Sequence, residues 1–332
     1  MNHNDSSVLD VTDLHVAFRG DDGIVHAVNG VSFELGAGES LAIVGESGSG
    51  KSVTALSVMG LLPASRRTSG HIRFGGRDLL SLDERELRTI RGRQIAMIYQ
   101  DPMTSLNPTL TVGRQLTQVI RHHLGSGRAA ARDHAVELLT TVGIPNARRR
   151  LRDYPHHFSG GQRQRILIAL ALACDPAVLI ADEPTTALDV TTQAQILALV
   201  EDLRSRLGTA IVWITHDLGV VAGFVDRVMV MYGGTVVEQA SVDQLFAEPR
   251  HPYTRGLLGS LPGAQPAGAR LQPIAGTTPT LAQPVTACPF APRCADVRAD
   301  CRDGRPPLEL IGDHGLACFH PPEPAALRER AR

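Results

Sequence analysis

Lysine is almost missing from this sequence. Of its 33 lysine and arginine residues, only Lys51 is a lysine. A chain so biased toward arginine keeps an ammonium where a planar guanidinium is a poor substitute, so the place of that residue is informative. Long apolar runs are missing too: none reaches the roughly 18 residues that span a bilayer, which argues against a transmembrane helix. The opening residues, MNHNDSSVLDVTDL, lack the basic-then-apolar order of a signal peptide. Neither sign of charge is in excess, the formal net charge being −1, so there is no positive field to gather nucleic acid or anionic lipid. No internal repeat is present. These absences predict a soluble, cytoplasmic chain.

What is present is ample material for a core. With 43% apolar and 20% charged residues over 332 positions, the chain suits two domains, or one large α/β domain with an appendage. Residues 8 to 44 alternate short apolar runs with turn signals such as GDDG and LGAGES, which predicts strands and hairpins ending in a buried strand over Ser40 to Val44. Helical periodicity follows in SVTALSVMGLL, a charged helix is expected over 83 to 93, and a mainly helical segment over about 101 to 173. AVLIADEP and TAIVWITHD are short, almost wholly apolar runs ending in polar residues, with a helical stretch (191 to 207) between them. Such runs fit parallel strands covered on both faces, with active residues at their carboxyl ends. After about residue 240 a Pro-, Gly- and Thr-rich connector leads to a cysteine-bearing tail.

The single lysine lies in GESGSGKS, residues 45 to 52, which satisfies G-x-x-x-x-G-K-[ST] between a predicted strand and a predicted helix. Gly45, Gly48 and Gly50 allow a tight turn whose N–H groups face phosphate oxygens. Lys51 suits the β- and γ-phosphates, and the Ser52 hydroxyl suits Mg²⁺. With Glu46, Ser47, Ser49 and Val53 they form the expected ATP-binding stretch. At the end of the next apolar strand Asp182 suits a Mg²⁺ contact, and Glu183 suits polarising a water for in-line attack. His216, at another predicted strand end, is placed to donate to a γ-phosphate.

FSGGQRQR, 158 to 165, resembles the signature of ATP-binding cassette (ABC) ATPases. In family order, Gln100 in MIYQDP resembles the Q-loop, TTALD ending at Asp189 the D-loop, and His216 the switch histidine; the resemblance covers residues 8 to about 240. It implies an α/β P-loop NTPase fold with a RecA-like core, a β subdomain and a helical subdomain at about 101–173, followed by a small irregular cysteine-bearing extension. It also implies a head-to-tail dimer in which Ser159, Gly160, Gly161 and Gln162 close over the partner's ATP. Gln100 joins Ser52 and Asp182 around Mg²⁺, and Phe18 stacks on adenine or else belongs to the core of the first strand. Phe158 stands where leucine is more usual and Leu170 where many cassettes carry arginine; neither change removes a catalytic group.

QDPMTSLNPTLTVG, ADEPTTALDVTTQAQIL, HDLGVVA and EPRHPYTRGLL resemble the ATPase subunits of dipeptide, oligopeptide and related nickel importers. This implies ATP hydrolysis driving peptide import, on the cytoplasmic face of the inner membrane. The expected partners are a paralogous second ATPase, two permease subunits gripped around Asp101 to Leu110, and, indirectly, an extracytoplasmic binding protein; nucleic acid is not expected. Two readings stand beside it: an importer of nickel or another small solute, and a non-transport ABC ATPase with a regulatory iron–sulfur tail.

The tail, 288–332 after a 241–287 extension and linker, carries Cys288, Cys294, Cys301 and Cys318, while Cys174 sits alone in an apolar run. Disulfides are disfavoured in a cytoplasmic chain, and the close pairs of structural zinc sites are missing. Four thiolates leave [4Fe–4S], Zn²⁺ or no metal open, with His314 and His320 the nearest other ligands. CPFAPRC with its two later cysteines resembles the cluster segment of D-type peptide-importer ATPases, which implies [4Fe–4S].

Overall fold

The computed structural model describes residues 7–20, 23–100, 105–186, 188–261, 274–279 and 281–322. In chain order the strands are β1 (Ser7–Gly20), β2 (Gly23–Gly36), β3 (Ser40–Val44), β4 (Arg66–Phe74), β5 (Arg77–Asp78), β6 (Ile95–Ile98), β7 (Val178–Asp182), β8 (Ala210–Thr215), β9 (Arg227–Tyr232), β10 (Thr235–Ser241), β11 (Glu309–Ile311) and β12 (His314–Leu316). The chain divides into two compact units woven from separated segments. One comprises Met1–Leu9, Leu35–Glu39 and Leu79–Trp213; the other Asp10–Glu34, Ser40–Asp78 and Ile214–Arg332.

In the first unit β6 and β7 run parallel, in register from Ile95 opposite Val178 to Ile98 opposite Ala181. All five residues of β7 are buried, as a strand covered on both faces requires, and its run of Val, Leu, Ile and Ala leaves no solvent-facing alternation. The Ala210 amide, at the start of β8, donates to the Ala177 carbonyl (2.9 Å). Helices Val112–Leu124, Arg128–Thr141 and Gly160–Ala171 make up most of the expected helical segment. Their buried residues recur at helical spacing, Val112, Leu116 and Ile120 on one and Ala131, Ala135 and Leu139 on the next. Gly113 lets the first approach the turn at Leu151, whose carbonyl oxygen lies 2.6 Å from where a Cβ would sit.

The second unit holds a sheet ordered β11-β12-β10-β9-β3, and β1, β2, β4 and β5 lie in a separate sheet ordered β2-β1-β4-β5. β3 and β9 are parallel, with Val44 opposite Val230. β9 and β10 form an antiparallel hairpin turned by Gly233 and Gly234, both at positive φ (57° and 75°), a two-residue turn that glycine enters without strain. The tail is more regular than expected. β12 pairs antiparallel with β10, Glu238 opposite Leu316, and β11 pairs with β12. Phe290 anchors the segment by burying its ring among Tyr232, Tyr253 and His251, at centroid distances of 5.2, 5.4 and 5.8 Å. Sequence periodicity missed these strands because each has three residues, too few for an alternation to register. Among the described residues, no helix is long and apolar enough to cross a membrane.

Candidate functional site

The glycine loop leaves β3 at Gly45 and enters the helix Lys51–Val58 at Gly50. Three of its glycines are needed for distinct reasons. A Cβ on Gly45 would lie 2.2 Å from the Met231 carbonyl oxygen, and one on Gly50 (φ 97°) 2.5 Å from that of Ala27. Gly48, at φ 80°, has nothing within 4 Å of its Cβ position, so that face of the loop is open. The β9–β10 turn braces the loop from behind, the Gly234 amide donating to the Ser49 carbonyl (3.1 Å). The result is a concave run of backbone opening onto a helix N-terminus, the form that receives phosphate. Lys51, 5% exposed, donates its Nζ to the carbonyls of Gly45 (2.6 Å) and Glu46 (2.9 Å). Ser52 and Val53 follow within the first helical turn.

Glu46 is held from several sides by residues that sequence reading did not connect with it. Its amide donates to the Tyr253 hydroxyl (2.9 Å), and its carboxylate accepts from Thr278 Oγ1 (2.8 Å) and from the Arg293 guanidinium (2.7 and 3.2 Å). Burial would raise the Glu46 pKa, but the hydrogen bonds from Arg293 and Thr278 outweigh it and hold the carboxyl below its ordinary value. No local pattern in GESGSGKS signals these partners, which lie more than 200 residues further along the chain.

In the first unit the parallel register of β6 and β7 brings two predicted residues together. Gln100 lies two residues beyond Ile98 and Glu183 two beyond its opposite, Ala181; Gln100 Nε2 donates to Glu183 Oε2 at 3.2 Å. Thr186 Oγ1 donates to the same oxygen at 3.0 Å, a second tether that the sequence did not single out. Asp182 is buried at the end of β7, whereas Glu183 takes a left-handed backbone (φ 46°) rare for a non-glycine residue. His216 follows β8 in the second unit and is exposed.

Ser159 caps the helix Gly160–Ala171 in a reciprocal box: its Oγ accepts from the Gln162 amide (3.3 Å) and Gln162 Oε1 accepts from the Ser159 amide (3.2 Å). Ser159 and Gly160 are exposed, and a Cβ on Gly161 would meet Thr192 Cγ2 at 2.7 Å. Asp189 caps the helix Val190–Leu207, its carboxylate accepting from the Thr192 amide and hydroxyl (2.9 and 2.8 Å). Phe18 is half-buried on β1 and lines an open cavity with Arg19, Ile24 and Arg67, so it is not among the core residues of that strand. Of the expected permease-contact segment, 101–104 lie outside the described residues. Within the rest, Asn107 Oδ1 accepts from the amide and hydroxyl of Thr109.

All four tail cysteines line one small cavity, together with Phe290 and His320 among others. Burial pushes the Cys288 and Cys294 thiols above their ordinary range and Cys318 up to about 11. His320 lines this cavity and hydrogen-bonds Asp300 at 2.7 Å. His314 does not line it: it is buried at the start of β12 with Nε2 2.7 Å from Glu238 Oε1, which corrects the expectation that it neighbours the cysteines as a ligand. The cause is strand pairing, which sets β12 beside β10 and so brings His314 to the buried Glu238 carboxylate, a group that needs partners.

Comparison with known proteins places these features in a family. The ABC transporter family model matches residues 28–186, and the model of the oligopeptide/dipeptide transporter C-terminal region matches residues 237–301. The chain is 53% identical over 319 residues to a probable peptide ABC transporter ATP-binding protein, y4tR, of Sinorhizobium fredii, covering 94% of each. It is 51% identical over 317 residues to the oligopeptide transport ATP-binding protein OppD of Salmonella typhimurium, covering 95% of this chain and 94% of that one. Identity is 52% over 315 residues with the dipeptide transport ATP-binding protein DppD of Bacillus subtilis, covering 94% of each. Among solved structures, the ATP-binding cassette MJ0796, a dimer in a post-hydrolysis state bound to ADP and Pi, aligns with a TM-score of 0.63 and 28% identity, over 70% of this chain and 98% of that one.

Proposed function

The chain belongs to the ATP-binding subunits of oligopeptide and dipeptide ABC transporters, and on that premise we propose that it hydrolyses ATP to drive peptide import through a separate membrane permease. The observation that carries the enzymatic half is the tethered general base. Gln100 and Thr186 both donate to one oxygen of Glu183, which fixes the carboxylate in place to orient a water. The glycine loop cradles phosphates, Lys51 supplies a compact charge to the β- and γ-phosphates, and Ser52, Asp182 and Gln100 are the groups that would hold Mg²⁺. Mg²⁺ contributes charge neutralisation on the phosphate oxygens when bound. His216 donates to the γ-phosphate, and Phe18 offers a ring face to adenine.

The family works as a dimer of cassettes, and the exposed Ser159 and Gly160, with Gly161 half-buried beside them, suit that role: a capped helix start with bare backbone forms an anion site for a partner's nucleotide. The partner is a paralogous ATPase, and the pair is held at the cytoplasmic face of the membrane by permease subunits.

Cys288, Cys294, Cys301 and Cys318 would hold an iron–sulfur cluster, a covalent cross-link for a tail with few large apolar residues. Two observations support the fit. The four thiols converge on a single cavity, and thiolates are the ligands an iron–sulfur core takes. Among the described residues, the group with ligand atoms all within 4.8 Å of one another is Asp300, Cys301 and His320, not three of the cysteines. One tetrahedral zinc would draw its sulfurs to about 3.8 Å, given Zn–S bonds of roughly 2.3 Å; wider spacing suits a larger core.

The test is uptake of a labelled oligopeptide by a strain deleted for this chain and its transport partners, complemented with the whole set. Wild-type chain should restore uptake and Glu183→Gln should not. Uptake with the variant at the wild-type rate would overturn the reading.

A further inference from the structure

The phosphate loop receives its firmest lateral support from outside the cassette. Arg293, one residue before Cys294, has a side chain only 5% exposed, and all five of its N–H donors are engaged. Nη1 donates to Glu46 Oε2 (2.7 Å) and to the Tyr232 hydroxyl (3.2 Å). Nη2 donates to Glu46 Oε1 (3.2 Å) and the Ile274 carbonyl (3.1 Å), and Nε to the Ala275 carbonyl (2.8 Å). The fork on Glu46 is bidentate, the strongest form of charge-assisted hydrogen bond a protein makes. Glu46 is the second residue of the phosphate loop, and its own carbonyl accepts from Lys51 Nζ at 2.9 Å. A continuous chain of hydrogen bonds therefore runs from the tail, through one loop residue, to the ammonium that meets the phosphates. Thr278 and Tyr253 hold the same residue, so all three side chains clamping Glu46 come from beyond residue 250.

We propose that Arg293 is a positioning residue for nucleotide binding: it fixes the phosphate loop through Glu46, so that ATP affinity depends on the C-terminal extension. Much of that loop is glycine, which loses more backbone entropy on ordering than any other residue. A clamp that orders Glu46 before ATP arrives removes part of that cost from the binding step. The proposal rests on the phosphate loop being the nucleotide site.

The test is titration of the full-length chain with Mg²⁺ and a fluorescent ATP analogue, beside steady-state hydrolysis in the assembled transporter. Arg293→Met should weaken analogue binding and raise KM for ATP about tenfold, the loss expected of a charged hydrogen-bonded pair, with kcat within about twofold. Arg293→Lys keeps the charge without the fork and should fall between, at about threefold. In a Glu46→Ala background the Arg293→Met effect should shrink to less than about twofold, because both acceptor oxygens of the route through Glu46 are gone. A generally destabilised protein would instead show the same loss in both backgrounds, which would overturn the proposal. Wild-type affinity in Arg293→Met would overturn it too. If that variant does not fold, Arg293→Lys and Thr278→Val carry the test, and wild-type affinity in both is the contrary result. Wild-type chain that failed to bind the analogue would strike the phosphate-loop reading itself, and the two failures are therefore distinguishable.

Discussion

Glu183 joins a strained backbone to a doubly anchored side chain. Its φ of 46° is costly for a residue with a Cβ, and such strain persists where the surroundings enforce it. Here Gln100 and Thr186 hold the carboxylate that the strain aims. Glu183→Gln keeps the shape and removes the base, so hydrolysis should fall at least about 100-fold while ATP still binds; phosphate release and nucleotide titration measure the two separately. Thr186→Val loosens one anchor, and about a tenfold fall in kcat with little change in KM is expected. At Lys51 the prediction concerns shape rather than charge. Lys51→Arg should weaken nucleotide binding about tenfold or more, read by the same titration, because a flat fork cannot occupy a site that places one ammonium between the carbonyls of Gly45 and Glu46.

At the scale of the element, the signature helix depends on its first residue. Ser159 both caps Gly160–Ala171 and stands exposed at its mouth. Ser159→Ala should lower stability by about 1 kcal/mol through the lost cap. Ser159→Asp should keep the cap, since aspartate is as good in that place, yet place a negative charge where a partner's phosphate would dock. Thermal melting should therefore separate the two variants in one order, and ATP-driven dimerisation measured by light scattering should show both reduced, the Asp variant more. Equal dimerisation of Ser159→Asp and wild type would argue that this helix start meets no nucleotide. The strands β3 and β7 were legible as sequence because burial on both faces leaves no polar alternation. β11 and β12 were not, since three-residue strands are made by the edge they pair with rather than by their own pattern.

For the molecule as a whole, the contact pattern cuts across the order of the chain. The C-terminal extension falls in the same compact unit as the phosphate loop, although about 200 residues separate them. Phe290 is the packing anchor of that arrangement, 4% exposed among Tyr232, Tyr253 and His251. Phe290→Ala should cost about 3–5 kcal/mol and, by loosening the tail that carries Arg293, weaken ATP binding as well. Denaturant unfolding and nucleotide titration of the same preparation check both. Anaerobically purified chain should absorb broadly near about 400 nm, and a Cys318→Ser variant should lose most of that band. A colourless preparation with one zinc per chain would replace iron by zinc in this reading.

The sequence by itself determined the family of this protein and which residues are candidates for its chemistry. Gly45 to Ser52, Asp182, Glu183, Ser159 to Gln162 and His216 are short motifs whose meaning lies in residue type and close spacing, and a phosphate loop needs its glycines and its lysine within eight positions. Tertiary structure alone decided which distant residues serve them. That Thr186 steadies Glu183, that His314 satisfies Glu238, and that Arg293 grips Glu46 follow from strand register and from the burial of Phe290. A hydrogen bond is specified by the positions of two atoms in space, and only the folded chain brings residues 46 and 293 within 2.7 Å of each other.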